Sequence, residues 1–304
     1  MRRIFESFVL VDWSASSKPV QGEDSIWIAA FSQNARKQWQ APKMSNPTTR
    51  TAAEKEINEI LSAFAKRGDR TFIGFDFPFG FPAGAAAGLK APGTAPWRAT
   101  WDLIASLIKD KPDNDNNRFQ VGANFNRRLT GAAFPFWGCP AKDVQTTLSS
   151  KRPRDHGAGD LAEMRAADLV AKAQSPWKLF YQGSPGGQAM VGIPVVRRLR
   201  DAPERAARSA IWPFETGWAA LTPETIDPFS WIFAEIYPSL LPAAPQAGEV
   251  KDAAQLRVLG EKLTQLDDEG KLAALFGPPH AASEDERARV VAEEGWIFGA
   301  GALR

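Results

Sequence analysis

A chain of 304 residues with 44% hydrophobic and 24% charged residues has an ordinary globular composition. It is long enough for one large domain, or for a core carrying a sizeable insertion. One cysteine, Cys139, excludes an internal disulfide and a cysteine-rich metal site, and no stretch approaches the ~18–20 apolar residues of a membrane span. The opening "MRRIFESFVLVDWS" is interrupted by Glu6 and Asp12 too early for a secretory leader, so a cytoplasmic protein is expected. The net charge of +2 conceals an asymmetry. Arg118 to Arg208 holds 15 Lys/Arg against 7 Asp/Glu, an excess of +8 that leaves −6 on the remainder. Such a distribution either draws a polyanion to one part of the molecule or is a solvated face of arginine-rich helices.

The first strand is "SFVLVDWS", and "SIWIAAF" (Ser25 to Phe31) is the second, bulky enough to be buried on both faces. "RKQWQAPKM" is a weaker third strand stopped by Pro42, as suits a sheet edge. A helix is predicted from Thr51, where Thr51 and Glu54 have capping-box spacing, with an apolar stripe of Ile57, Ile60, Leu61 and Phe64. "RTFIGFDFPFGFP" supplies the fourth strand, ending at Pro78. Residues 1–80 thus form the first part of an α/β core, and 81–227 read as a helical and loop-rich insertion. The strand pattern resumes in "FSWIFAEIYPSLLP", a fifth strand over Ser230 to Tyr237, so 228–304 complete the core. A helix from about Val250 carries the stripe Leu256, Leu259, Leu263 and Leu266, and a last helix begins at Ser283 with Glu286 in capping-box spacing.

Asp12, Asp76 in "IGFDFP" and Glu235 in "FAEIYP" all stand at the carboxyl end of an apolar strand, where ligand sites of open α/β sheets lie. Asp252 precedes Leu256 by one helical turn and so faces the sheet. Each alone has a structural explanation, a loop hydrogen bond or a helix-dipole preference. Converging carboxylates, however, repel one another unless a cation sits among them. With no histidine or cysteine cluster the ligands are hard oxygens, which select Mg2+ or Mn2+ over zinc.

"VDWSAS", "GFDFPFGFP", "EIYP" and "KDAAQ", in this order, resemble a bacterial family, domain of unknown function 429, regarded as predicted nucleases of the ribonuclease H-like fold. The resemblance covers roughly residues 4–80 and 228–304. It implies a mixed five-stranded sheet with an antiparallel second strand, and metal-binding, catalytic roles for Asp12, Asp76 and Glu235. Asp252 is placed by reasoning, since related sequences carry a "DALDA"-like helix where this chain has "KDAAQ". Two divalent ions supply an activated water and stabilise charge on the leaving oxygen of a phosphodiester. Asp12 is expected to bridge them, with Asp76 and Glu235 on one side and Asp252 on the other.

Nucleic acid is the expected partner. Candidate substrate contacts are Ser14 beside the first acid, Arg127 and Arg128, Arg152 and Arg154 in "KRPR", and Arg165 on a helix predicted to carry Glu163 and Asp168 as well. Gly186 and Gly187 of "GSPGGQ" can cradle a phosphate, although the sequence matches neither phosphate-loop fingerprint, which favours a plain loop. Trp97, Trp137 and Trp177 either pack the insertion or stack on bases. Two other classes remain open: a phosphotransferase of the actin-like or sugar-kinase type, against which the missing glycines after Asp12 and Asp76 argue, and a silent nucleic-acid-binding adaptor.

Overall fold

The computed structural model describes residues 3–303. Its centre is a six-stranded mixed sheet flanked by helices on both faces. The strands are β1 (Ser7–Asp12), β2 (Trp27–Ser32), β3 (Lys43–Ser45), β4 (Thr71–Phe75), β5 (Ser209–Ile211) and β6 (Trp231–Glu235), in the spatial order β3-β2-β1-β4-β6-β5. β2 runs antiparallel to β1 and β3, whereas β1, β4, β6 and β5 are mutually parallel. Among the described residues no helix is long and apolar enough to cross a membrane.

Strand alternation divides the core in two. Val9, Val11, Ile73, Phe75 and Phe233 face one cluster, which includes Ile57 and Leu61 of α1 (Arg50–Lys66). Phe8, Leu10, Phe72, Ile232 and Ala234 face the other, beneath Leu256, Leu259 and Leu263 of α8 (Lys251–Asp268). Close approach of α8 depends on Gly260, where a Cβ would lie 2.1 Å from the Phe31 ring.

The stretch 81–227 contributes α2 (Ala85–Leu89), α3 (Pro96–Leu107), α4 (Arg118–Leu129), α5 (Ala166–Ala171), α6 (Pro185–Asp201) and α7 (Pro223–Ile226). Its buried residues Trp101, Phe125, Trp177 and Ile193 belong to the same cluster as Val9 and Phe75, so it shares the core of the sheet. The expected count of five strands is corrected to six, because three residues of this stretch, Ser209–Ile211, pair with β6 at the sheet edge. Trp97 stacks on Phe214 at 4.9 Å and Trp177 is fully buried, so both serve packing rather than base stacking.

Two local boundaries also shift. β3 starts after Pro42 instead of ending at it, and Trp39 makes only an isolated bridge to Gln33. α1 is capped by Thr49, whose hydroxyl accepts from the Ala52 N–H at 3.2 Å, while Glu54 pairs with Arg198. At the other end of the chain, α9 (Glu284–Arg289) is capped by Ser283 as predicted, but Glu286 turns to His280 instead of closing a box. The π-helical turn Val290–Glu294 ties the molecule together: Glu293 accepts from the N–H groups of Gly84 (2.8 Å) and Ala86 (2.6 Å) at the start of α2, and Phe298 donates to the Glu235 carbonyl at 2.8 Å.

Candidate functional site

The register of β1 on β4 pairs Val11 with Phe75, so the next residues, Asp12 and Asp76, emerge side by side at the carboxyl ends of two parallel strands. Backbone bonds lock them there. Asp76 N–H donates to the Val11 carbonyl at 3.1 Å, and Trp13 N–H donates to Asp76 Oδ1 at 2.6 Å. The two carboxyl groups are close enough for each to shift the other's titration. Each keeps a minor part of its surface exposed, with protein packed around the rest. Burial, the charge of Asp252 and that of Asp24 raise the Asp12 carboxyl to about 7, although its hydrogen bond with Asp76 works in the opposite direction. Burial and the adjacent Asp12 push Asp76 well above the usual carboxylate range. Two carboxyls so placed share a proton near neutral pH or bind a cation. Among the described residues neither makes an ion pair with a Lys or Arg.

Asp12 opens onto a cleft of about 760 Å³. One side is formed by Trp13–Lys18, Asp24 and Asp252, the other by Arg118, Lys142 and the segment Phe180–Ser184. Arg50, at the start of α1, holds the first side in place: its Nη1 donates to the carbonyls of Ser14 (3.0 Å) and Ser16 (2.8 Å) while Asp110 neutralises it at 2.6 Å. Asp252 arrives from the first turn of α8, as predicted, and its Oδ2 accepts from the Asp24 N–H at 2.9 Å. Its carboxyl is raised by burial and by the Asp24 charge. Ser14 lines the cleft, its hydroxyl donating to the Asp24 carbonyl at 3.3 Å.

Glu235 does not join this group, and the reason is register. It pairs with Phe75, one rung before Asp76, and in-register residues share a face of a sheet, so a one-residue offset turns it to the opposite side. There it is 3% exposed and its two oxygens accept from Arg165 at 2.6 and 2.7 Å and from the Phe79 N–H at 3.1 Å. Burial raises its carboxyl, and Arg165 opposes that rise. Arg165 is fully buried between Glu235 and Asp168 and caps α5 instead of lying on its surface. Glu235 and Arg165 are therefore a structural ion pair and leave the list of candidate site residues.

The other basic candidates also lie elsewhere. Arg152 pairs with Asp155 and Glu163, Arg154 pairs with Asp160, and Arg127 and Arg128 are exposed at the far end of α4 from Arg118; none lines the cleft. Carboxylates likewise take up Arg197, Arg198 and Arg200. The local excess of positive charge is thus largely neutralised within the fold. Gly186 and Gly187 are buried in α6, where a Cβ would lie 2.1 Å from the Pro176 carbonyl oxygen and 2.4 Å from that of Leu179. Carbonyl oxygens at those distances repel a phosphate, so these glycines permit close backbone packing and form no cradle.

Several cleft residues escaped the sequence reading, among them Lys18, Asp24, Arg118, Lys142 and Tyr181. Asp24 sits at φ +54 in the β1–β2 connection, which must begin where Asp12 ends and therefore returns acids to the cleft. Arg118 was visible only as the first residue of a basic stretch.

The donor set bears on the cation. Among the described residues no group of three or more His, Cys, Asp or Glu side chains is placed to hold a metal ion. The Asp12–Asp76 pair, all hard oxygen and without a protein cation, fits an ion that takes two carboxylates and completes its shell with water and substrate, the habit of Mg2+. Comparison of the chain with models of known protein families, with curated proteins and with solved structures finds no match.

Proposed function

We propose that the cleft hydrolyses phosphodiester bonds of nucleic acid with the help of Mg2+ or Mn2+. The observation that carries this reading is the adjacent pair Asp12 and Asp76, Asp12 lining a cleft, both raised chiefly by burial and supplied with no ion-pair partner among the described residues. The sheet adds support, since strand order 3-2-1-4 with only the second strand reversed against its neighbours is the ribonuclease H-like arrangement that the motifs imply.

In this reading Asp12 and Asp76 would hold the divalent metal, and Asp252 lines the same cleft as Asp12. Such ions lower the pKa of a bound water and neutralise charge developing on the leaving oxygen. The chain's own part is positional. Trp13 N–H fixes one oxygen of Asp76, Arg50 fixes the loop after Asp12, and Asp24 N–H orients Asp252. A short single-stranded substrate suits the cleft better than a duplex, because among the described residues only Lys18, Arg118 and Lys142 supply positive charge along it. The test is cleavage of a labelled single-stranded oligonucleotide with and without Mg2+ or Mn2+. Metal-dependent products that disappear in Asp76→Asn are expected. Products of equal yield in the variant, or in EDTA, overturn the proposal.

A further inference from the structure

Arg118 opens α4 and is 4% exposed. Its buried counterparts each touch a carboxylate: Arg50 meets Asp110, Arg165 meets Asp168 and Glu235, and Arg205 meets Glu204. Among the described residues Arg118 makes no such pair. Its Nη1 donates to two neutral oxygens, Ser17 Oγ and Asn116 Oδ1, both at 2.9 Å. Its Nε is buried with no partner at all. The guanidinium lies 4.2 Å from the centre of the Phe119 ring, which supplies a face but no hydrogen-bond acceptor for Nε. Asp110 and Asp143 act on it only at longer range, and Arg50 repels it. A withdrawn cation without a carboxylate partner is costly, and a planar fork whose Nη2 is engaged by no described group matches an oxyanion.

The same cleft thus holds an acid pair without a cation and an arginine without an anion. We propose that Arg118, with Lys142 lining the same cleft, forms a subsite for one phosphate group of a nucleotide ligand, Nη2, which no described group engages, being the donor left for it. Tyr181, 48% exposed on this cleft and 4.8 Å from Phe180, offers the ring face against which the attached base lies. The subsite's place in catalysis rests on the phosphodiesterase reading, but its binding of phosphate does not.

The experiment is titration calorimetry in EDTA with two probes, inorganic phosphate and a nucleoside 5′-monophosphate. Both bind the wild type, the nucleotide more tightly. Arg118→Gln weakens both at least tenfold. Lys142→Gln alters an exposed side chain and so tests the site without disturbing the core; it weakens both several-fold. Tyr181→Ala brings the nucleotide down to the affinity of phosphate alone. Unchanged phosphate affinity in Arg118→Gln and Lys142→Gln, or no binding to the wild type, overturns the subsite. Unchanged nucleotide affinity in Tyr181→Ala overturns its assignment to nucleotides. Because metal is absent, failure of the metal reading leaves these results intact.

Discussion

Replacing Asp12 by Asn separates a site carboxylate from a structural one through pH. The Asp12 carboxyl titrates at about 7 in the fold against an ordinary value of 3.8. Between those values the unfolded chain has released the proton while the folded chain retains it, so stability falls as pH rises and the full penalty is present above pH 7. A displacement of that size corresponds to at most about 4 kcal/mol. Asp12→Asn keeps the shape and offers Asp76 a neutral donor. The variant should match the wild type near pH 4 and exceed it at pH 8 by up to that amount, roughly 8 °C in melting temperature for a chain of this length. Thermal melts across pH in EDTA measure this. Adding Mg2+ should raise the wild type by mass action and the variant much less. A variant less stable than the wild type at pH 8, with an equal magnesium shift in both, would refute the reasoning and make Asp12 a loop anchor.

Glu235→Gln should behave in the opposite way, because it leaves Arg165 with a single carboxylate in a buried setting. A loss of about 3–5 kcal/mol in urea unfolding is expected, with the magnesium shift retained; full stability together with loss of metal binding would return Glu235 to the site. Single-stranded oligonucleotide affinity should fall with salt at a log–log slope of about −1.4, as two phosphate contacts require, one at Arg118 with Lys142 and one at Lys18. Charge reversal at Arg152 and Arg154 should leave that slope unchanged, since both side chains are held by carboxylates outside the cleft; a flattened slope would bring their loop into the interface.

Asp12 and Asp76 were legible because an acid closing an apolar strand is a local signal that needs no knowledge of strand pairing. Asp252 was legible through helical periodicity alone. Glu235 carried the same local signal and misled, since the face it occupies depends on its register with β4, fixed by contacts some 160 residues apart in the chain. β5 escaped because three residues carry no usable alternation. Arg118 escaped for another reason: what marks it is the absence of a partner, and only a folded environment reveals that. The large charge asymmetry was real in composition, yet ion pairing within the fold cancels much of it.

The acceptors for the first N–H groups of α2 are supplied by Glu293, 207 residues further along the chain than Ala86. At 5–20 residues per second, a ribosome takes roughly 10–40 s to add that many residues. Throughout that interval the opening turn of α2 and the Gly80 backbone, which packs so tightly on Glu293 that a Cβ would lie 2.1 Å from its carbonyl oxygen, lack their Glu293 partner. The nascent chain therefore completes its core only once synthesis has passed Leu303, a buried member of the same cluster as Phe298, and until then its apolar surface is available to chaperones.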